Sequence, residues 1–139
     1  MSVLYRTKAT SHGGRQGQVK SHEGTFDLAL ALPKELGGPG GKANPEQLFA
    51  AGYAACFENA VLHVARETKA PVRGTAVTAE VGIGPRAAGG FQLSVALEVT
   101  VGGVDQATAE ALVAKAHEVC PYSNATRGNI EVTITTQLA

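Results

Sequence analysis

A chain of 139 residues whose twelve Lys and Arg balance twelve Asp and Glu has no net formal charge at neutral pH. It offers no basic excess for nucleic-acid phosphates and no polybasic run for an anionic membrane surface, so neither partner is expected. The length fits a single domain over residues 1–139 with a real core, and the modest stock of bulky apolar residues suits an obligate oligomer. Met1 is not followed by the apolar run and small-residue cleavage site of a secretory signal, and a cytoplasmic location is expected. In that compartment two cysteines, Cys56 and Cys120, point to thiol chemistry or inert core rather than a permanent staple, and they are too few for a structural zinc site.

In chain order, residues Val3 to Ser11 and Gln18 to His22 read as two strands around the turn Gly13-Gly14-Arg15-Gln16-Gly17, which presents Arg15 at a fixed corner. Phe26, Leu28, Leu30 and Leu32 alternate with smaller or polar residues, the period of a third strand that Pro33 ends. Gly37-Gly38-Pro39-Gly40-Gly41 with Lys42 imitates a phosphate loop, but Leu36 stands where its first glycine belongs and Ala43 where Ser or Thr belongs. A nucleotide loop is therefore rejected in favour of a flexible lead-in.

The stretch from Asn44 to Thr68 predicts one long helix. Asn44 suits the N-cap, Pro45 the first helical position, Glu46 the positive end of the dipole, and Gln47 a capping-box role. From Leu48 to Phe57 nearly every residue is apolar or small, so the helix has no solvated face there and must be covered on all sides. Gly52, Glu58, Asn59 and His63 interrupt the run short of the ~20 apolar residues of a membrane span, and Ala70-Pro71 is expected to end the helix. Beyond it, Val77 to Ile83 and Phe91 to Val101 alternate as two antiparallel strands joined through Gly84-Pro85 to Gly89-Gly90. Asp105 caps a second helix whose Ala109, Leu112, Val113, Ala116 and Cys120 form one stripe, and Pro121 is expected to end it. A last strand carries Ile130, Val132, Ile134, Thr136 and Leu138 on one side. The order β-β-β-α-β-β-α-β makes an α+β fold with sheets covering the long helix.

Taken alone, Cys56 on an apolar helix is a small hydrophobe or a functional thiol, and the residues leave both readings open. Cys120 lies on an apolar stripe at a helix end, so the two could meet and cycle as dithiol and disulfide, which requires Cα atoms within about 7 Å. Cys120-Pro121-Tyr122-Ser123 imitates a glutaredoxin-like redox turn, but it is read here at the end of a helix rather than the start. Arg15 has a plain explanation as a solvated turn residue and Glu46 as a dipole partner. His12, His22, His63 and His117 show no ligand spacing, and no metal is expected.

Asn44-Pro-Glu-Gln-Leu-Phe-Ala-Ala-Gly-Tyr-Ala-Ala-Cys56-Phe and Cys120-Pro-Tyr-Ser-Asn-Ala-Thr-Arg-Gly-Asn-Ile130 resemble the two signature segments of the organic hydroperoxide resistance branch of the OsmC/Ohr family. The similarity extends to the Gly13-Gly14-Arg15 corner, the Glu35-Leu36-Gly37-Gly38 lead-in and the element order. It departs at Ala43 and Ala55, where the pattern has Thr and Ser, and at Glu58 and Asn59. The resemblance implies an OsmC-like fold in an intertwined homodimer and a lipoyl-dependent, peroxiredoxin-like thiol peroxidase. By it, Cys56 is the peroxidatic cysteine, Cys120 the resolving one, and Arg15 with Glu46 the pair that activates the thiolate. It implies no bound cofactor and names dihydrolipoamide or a lipoylated protein as reductant.

Leu48, Phe49, Tyr53 and Phe57 make the surroundings of Cys56 apolar, a better host for an alkyl or fatty-acid hydroperoxide than for hydrogen peroxide. The competing readings are a broader OsmC-type peroxidase and a non-catalytic dimeric binder of hydrophobic ligands. Glu46 and Cys56 are ten residues apart, about 15 Å of rise and 280° of rotation on one helix, so they do not share a compact cluster. With the implied roles, that geometry leads us to expect Glu46, and Arg15 with it, to reach Cys56 from the second subunit of a homodimer.

Overall fold

The computed structural model describes residues 1–139. Length argues for one domain; the backbone groups into two compact units, Met1–Leu48 and Phe49–Ala139, and each is described in turn.

The first unit is a small antiparallel sheet in the order β1-β2-β3, with β1 at Ala9–His12, β2 at Gln18–Ser21 and β3 at Asp27–Ala29. The β1 to β2 reversal is a single turn of 3-10 helix, Gly14–Gln16, entered through Gly13 at φ 81. Gly17 closes it, and only a glycine fits, because a Cβ there would stand 1.8 Å from the His12 carbonyl oxygen. Two expectations are corrected. The first strand starts at Ala9, not Val3, because the ladder begins at Ala9↔Ser21, and Val3, Leu4 and Tyr5 before it stay exposed. The third strand does not run from Phe26 to Leu32. Beyond the Gln18↔Ala29 pair its partner strand has entered the turn, and Leu30 bridges instead to Ala43.

Helix α1, Pro45–Thr68, begins as its sequence dictates, with the Asn44 Oδ1 accepting the Gln47 amide at 2.8 Å. It ends two residues before the expected Ala70-Pro71 stop. Lys69 turns left-handed at φ 56 and the Ala70 amide bonds back to the Ala65 carbonyl, the wrap that satisfies orphan carbonyls at a helix end.

In the second unit, β4 at Thr75–Pro85 and β5 at Phe91–Val101 form an antiparallel hairpin in register from Thr75↔Val101 to Pro85↔Phe91. Helix α2, Gln106–Val119, is capped by Asp105, whose carboxylate accepts the Thr108 amide at 2.8 Å. β6, Val132–Leu138, returns parallel to β5 after the helical crossover that a parallel pair requires. One face of this sheet buries Val95, Leu97, Val99 and Val101 against Tyr53, Phe57 and Val61 of α1 and Ala109, Val113 and Ala116 of α2. An 18-residue window of α1 reaches a mean hydropathy of 1.3, enough for a membrane span by composition. The interrupting polar residues therefore do not decide the matter; the burial of Tyr53, Phe57, Ala60, Val61, Val64 and Ala65 reads as a core helix.

The expected element order lacks one helix. Pro121 does end α2, but it also opens α3, Pro121–Thr126, with Cys120 serving as C-cap of the first and N-cap of the second. Proline's missing amide is no loss at a first helical position. Cys120 thus does start a helix, contrary to our reading of it as a terminus only.

Candidate active site

The second unit brings the two cysteines together. Cys56 lies in the middle of α1 and is half-buried; Cys120, at the α2–α3 junction, is fully buried. Their Sγ atoms are 3.6 Å apart and both are free thiols. Helix α3 aims its first available amide at them. With Pro121 lacking an N–H, the first available donor is the Tyr122 amide, whose influence on Cys56 is to lower its pKa. Burial is the larger influence and raises it, and the neighbouring Cys120 adds to the rise, so the net shift is upward. None of the influences on Cys56 is a cation. A thiol so placed is set up for disulfide chemistry with Cys120.

Around the thiols stands an aromatic cluster. Tyr53 and Tyr122 have ring centroids 5.7 Å apart, and Phe49 meets each of them edge-on at 6.2 Å. Gly52 makes room for it, since a Cβ there would lie 2.8 Å from the Tyr122 hydroxyl. Of the residues expected to line a substrate pocket, Tyr53 and Phe57 are fully buried in the core, while Leu48 and Phe49 keep part of their surface. Phe49 borders an open cleft of about 450 Å³ together with Arg86, Phe91, Leu93, Thr126 and Ile130. Glu58, which departs from the signature pattern, accepts a 2.7 Å hydrogen bond from the Thr75 hydroxyl of β4.

The first unit brings together the other expected pair. The Arg15 guanidinium, on the 3-10 corner, grips the Glu46 carboxylate in the first turn of α1 with two parallel bonds, Nη1 to Oε2 at 2.8 Å and Nη2 to Oε1 at 2.6 Å. Fork-to-fork geometry of this kind fixes the plane of the guanidinium. Arg15 keeps 36% of its side-chain exposure and Glu46 14%, so the pair adds little to stability and its orientation is the feature of interest. The hydrogen bonds from Arg15 hold the Glu46 pKa below its ordinary value. A depressed carboxylate pKa favours the pair at all pH above the ordinary glutamate range, and the benefit is lost as pH falls through the lowered value. Titrating Glu46 by carboxyl carbon NMR should give a midpoint below that of an unpaired glutamate, and Arg15→Ala should move it upward. An unmoved midpoint in the variant would mean that the carboxylate is not held by Arg15.

No group of three or more His, Cys, Asp or Glu side chains comes together in the chain. Sequence reasoning missed α3 and the Tyr122 amide; the signal was Pro121 itself, a residue that marks helix starts as well as stops.

A family model described as OsmC-like protein matches residues 38–135. An organic hydroperoxide resistance protein of Xanthomonas axonopodis pv. citri is 53% identical over 135 residues, covering 96% of this chain and 94% of that one. Among solved structures, an organic hydroperoxide resistance protein from Legionella pneumophila superposes with a TM-score of 0.95 at 54% identity, over 98% of this chain and 99% of that one. Another from Elizabethkingia anophelis gives 0.96 at 50% identity over the whole of both chains. The chain belongs to the OsmC/Ohr family.

Proposed function

We propose that the protein is a thiol peroxidase that reduces organic hydroperoxides to alcohols, working as an intertwined homodimer. The observation that carries this reading is the 3.6 Å separation of two free thiols at the start of helix α3. The relatives' names, which carry organic hydroperoxide resistance, supply the substrate class.

In this mechanism the half-buried Cys56 meets the peroxide and the fully buried Cys120 resolves. The thiolate attacks one oxygen of R–O–O–H, the O–O bond breaks, and the other oxygen leaves as an alkoxide that takes up a proton to become the alcohol. Arg15, held flat by Glu46, arrives from the second subunit. It supplies the cation that Cys56 lacks and stabilises first the thiolate, then the charge developing on the departing oxygen. Cys120 then attacks the Cys56 sulfenic acid; water leaves and a disulfide forms. The sulfurs close from 3.6 Å to a bond of about 2.0 Å, a movement of about 1.6 Å. A dithiol, dihydrolipoamide or a lipoylated protein, reduces the disulfide by two exchange steps and is itself oxidised to its cyclic disulfide. Leu48 and Phe49 favour an alkyl or fatty-acid tail, and the buried Tyr53 and Phe57 back them from the core.

Turnover with tert-butyl hydroperoxide in the presence of dihydrolipoamide should exceed turnover with hydrogen peroxide by at least about tenfold, the worth of one or two methyl groups in an apolar site. Equal rates would favour the broader OsmC-type peroxidase. No consumption of either peroxide would leave a dimeric binder of hydrophobic ligands.

A further inference from the structure

Helix α3 has six residues and no strong reason of its own to stay folded, yet it carries the Tyr122 amide and begins at Cys120. What ties it down is a buried chain of polar groups beside the thiols. His117 Nδ1 lies 2.8 Å from Ser123 Oγ, Ser123 Oγ 2.8 Å from the Tyr53 hydroxyl, and that hydroxyl 3.2 Å from Thr126 Oγ1. Thr126 Oγ1 in turn donates to the Ser123 carbonyl at 3.2 Å. Tyr53 and Ser123 are fully buried and Thr126 nearly so. The anchor points bracket the chemistry: Tyr53 precedes Cys56 by one turn of α1, His117 precedes Cys120 by one turn of α2, and Ser123 follows it in α3.

Counting protons fixes the direction of every bond. A carbonyl only accepts, so Thr126 spends its one hydroxyl proton on Ser123. The bond between Thr126 and Tyr53 must then be donated by Tyr53, the next by Ser123, and the last by the ring nitrogen Nδ1 of His117. Burial and the Arg127 charge both push the His117 pKa down, leaving a neutral ring with a single N–H. The count requires that proton on Nδ1. Arg127, which donates to the His117 carbonyl and at 2.7 Å to Asn124 Oδ1, staples the same two helices from outside.

We infer that His117, Ser123, Tyr53 and Thr126 form a one-directional hydrogen-bonded clamp that fastens α3 to α1 and thereby holds Cys120 and the Tyr122 amide against Cys56. They are positioning residues for closing the disulfide. The inference rests on the reading of Cys56 and Cys120 as a redox pair, but its test does not need peroxide. Diamide takes two electrons and two protons from the dithiol and leaves the same disulfide, so the closing rate can be measured with any peroxidase step bypassed. Ser123→Ala and Tyr53→Phe should each close the disulfide about tenfold more slowly than the wild type, the scale of one buried hydrogen bond left unmade. Ser123→Thr, which restores a hydroxyl, should recover most of the rate. Imidazole nitrogen NMR of the unmodified protein should find the His117 proton on Nδ1, and Ser123→Ala should release that preference. If a variant fails to fold, the wild-type tautomer and the Tyr53→Phe protein, which lacks a single oxygen, still decide the matter. Closing at the wild-type rate in folded variants, or a wild-type proton on Nε2, would overturn the clamp. A wild type that closes with diamide but never consumes organic peroxide would instead overturn the proposed function and leave the clamp standing.

Discussion

Mixing two inactive proteins, Cys56→Ser and Glu46→Ala, under conditions that exchange subunits should restore peroxidase activity to about a quarter of the wild-type value. Random pairing of equal amounts makes about half of the dimers mixed, and each has one of its two sites built from unaltered residues. Helix α1 runs without interruption from Pro45 to Thr68. Ten residues along it separate Glu46 from Cys56, about 15 Å of rise, and under the proposed mechanism the carboxylate that serves a thiol therefore comes from the other subunit. The geometry of each half fits this division. Arg15 and Glu46 form a bidentate pair in the first unit. Cys56 has Cys120 at 3.6 Å and a pKa raised chiefly by burial, where the proposed reaction needs it lowered. In the proposed homodimer, two α1 helices packed antiparallel about a two-fold axis would bring each helix start to the middle of the other and complete both sites. Verified mixed dimers without recovered activity, or a fully active monomer, would contradict the shared arrangement.

The long helix, its Asn44 cap, the β4–β5 hairpin and the Asp105-capped second helix were legible because each is written in local chemistry: a capping side chain, a period of 2 or 3.6, a glycine-rich reversal. The stripe Ala109, Leu112, Val113, Ala116 and Cys120 is buried throughout, as its spacing requires. What local chemistry does not encode is where a strand's partner ends. Val3 to Lys8 precedes the first strand without joining its ladder, touching it only where the His22 amide donates to the Lys8 carbonyl. Leu30 obeys the third strand's pattern after its ladder has given way to a turn. Pro121 was read as a stop because it is one; its second meaning, as the first residue of α3, depends on the Ser123 and Thr126 hydroxyls finding Tyr53 some 70 residues earlier. The same distance in sequence hid the Tyr122 amide, a backbone donor that no side-chain pattern announces. Tyr53 and Phe57 were grouped with the substrate pocket on apolarity alone, and apolarity does not distinguish a pocket wall from the core in which both are fully buried.

Cys56→Ser should abolish peroxide consumption, whereas Cys120→Ser should allow a single oxidation and block turnover. The asymmetry follows from exposure and position. Cys56 is half-buried; Cys120 has no accessible surface and touches Cys56 at 3.6 Å. A serine at position 56 has the geometry but not the nucleophile, since a hydroxyl stays protonated where a thiol ionises. A serine at position 120 leaves the first step intact and removes the only group that converts the sulfenic acid to a disulfide, so each subunit reacts once and stops. The decisive measurement is peptide mass spectrometry of the Cys120→Ser protein after one equivalent of organic hydroperoxide, with a sulfenic-acid trap present. The peptide holding Cys56 should carry the trapped sulfenic acid stoichiometrically, and the wild type treated in the same way should yield the linked Cys56–Cys120 peptides; an unoxidised Cys56, or wild-type oxidation that begins at Cys120, would contradict the account.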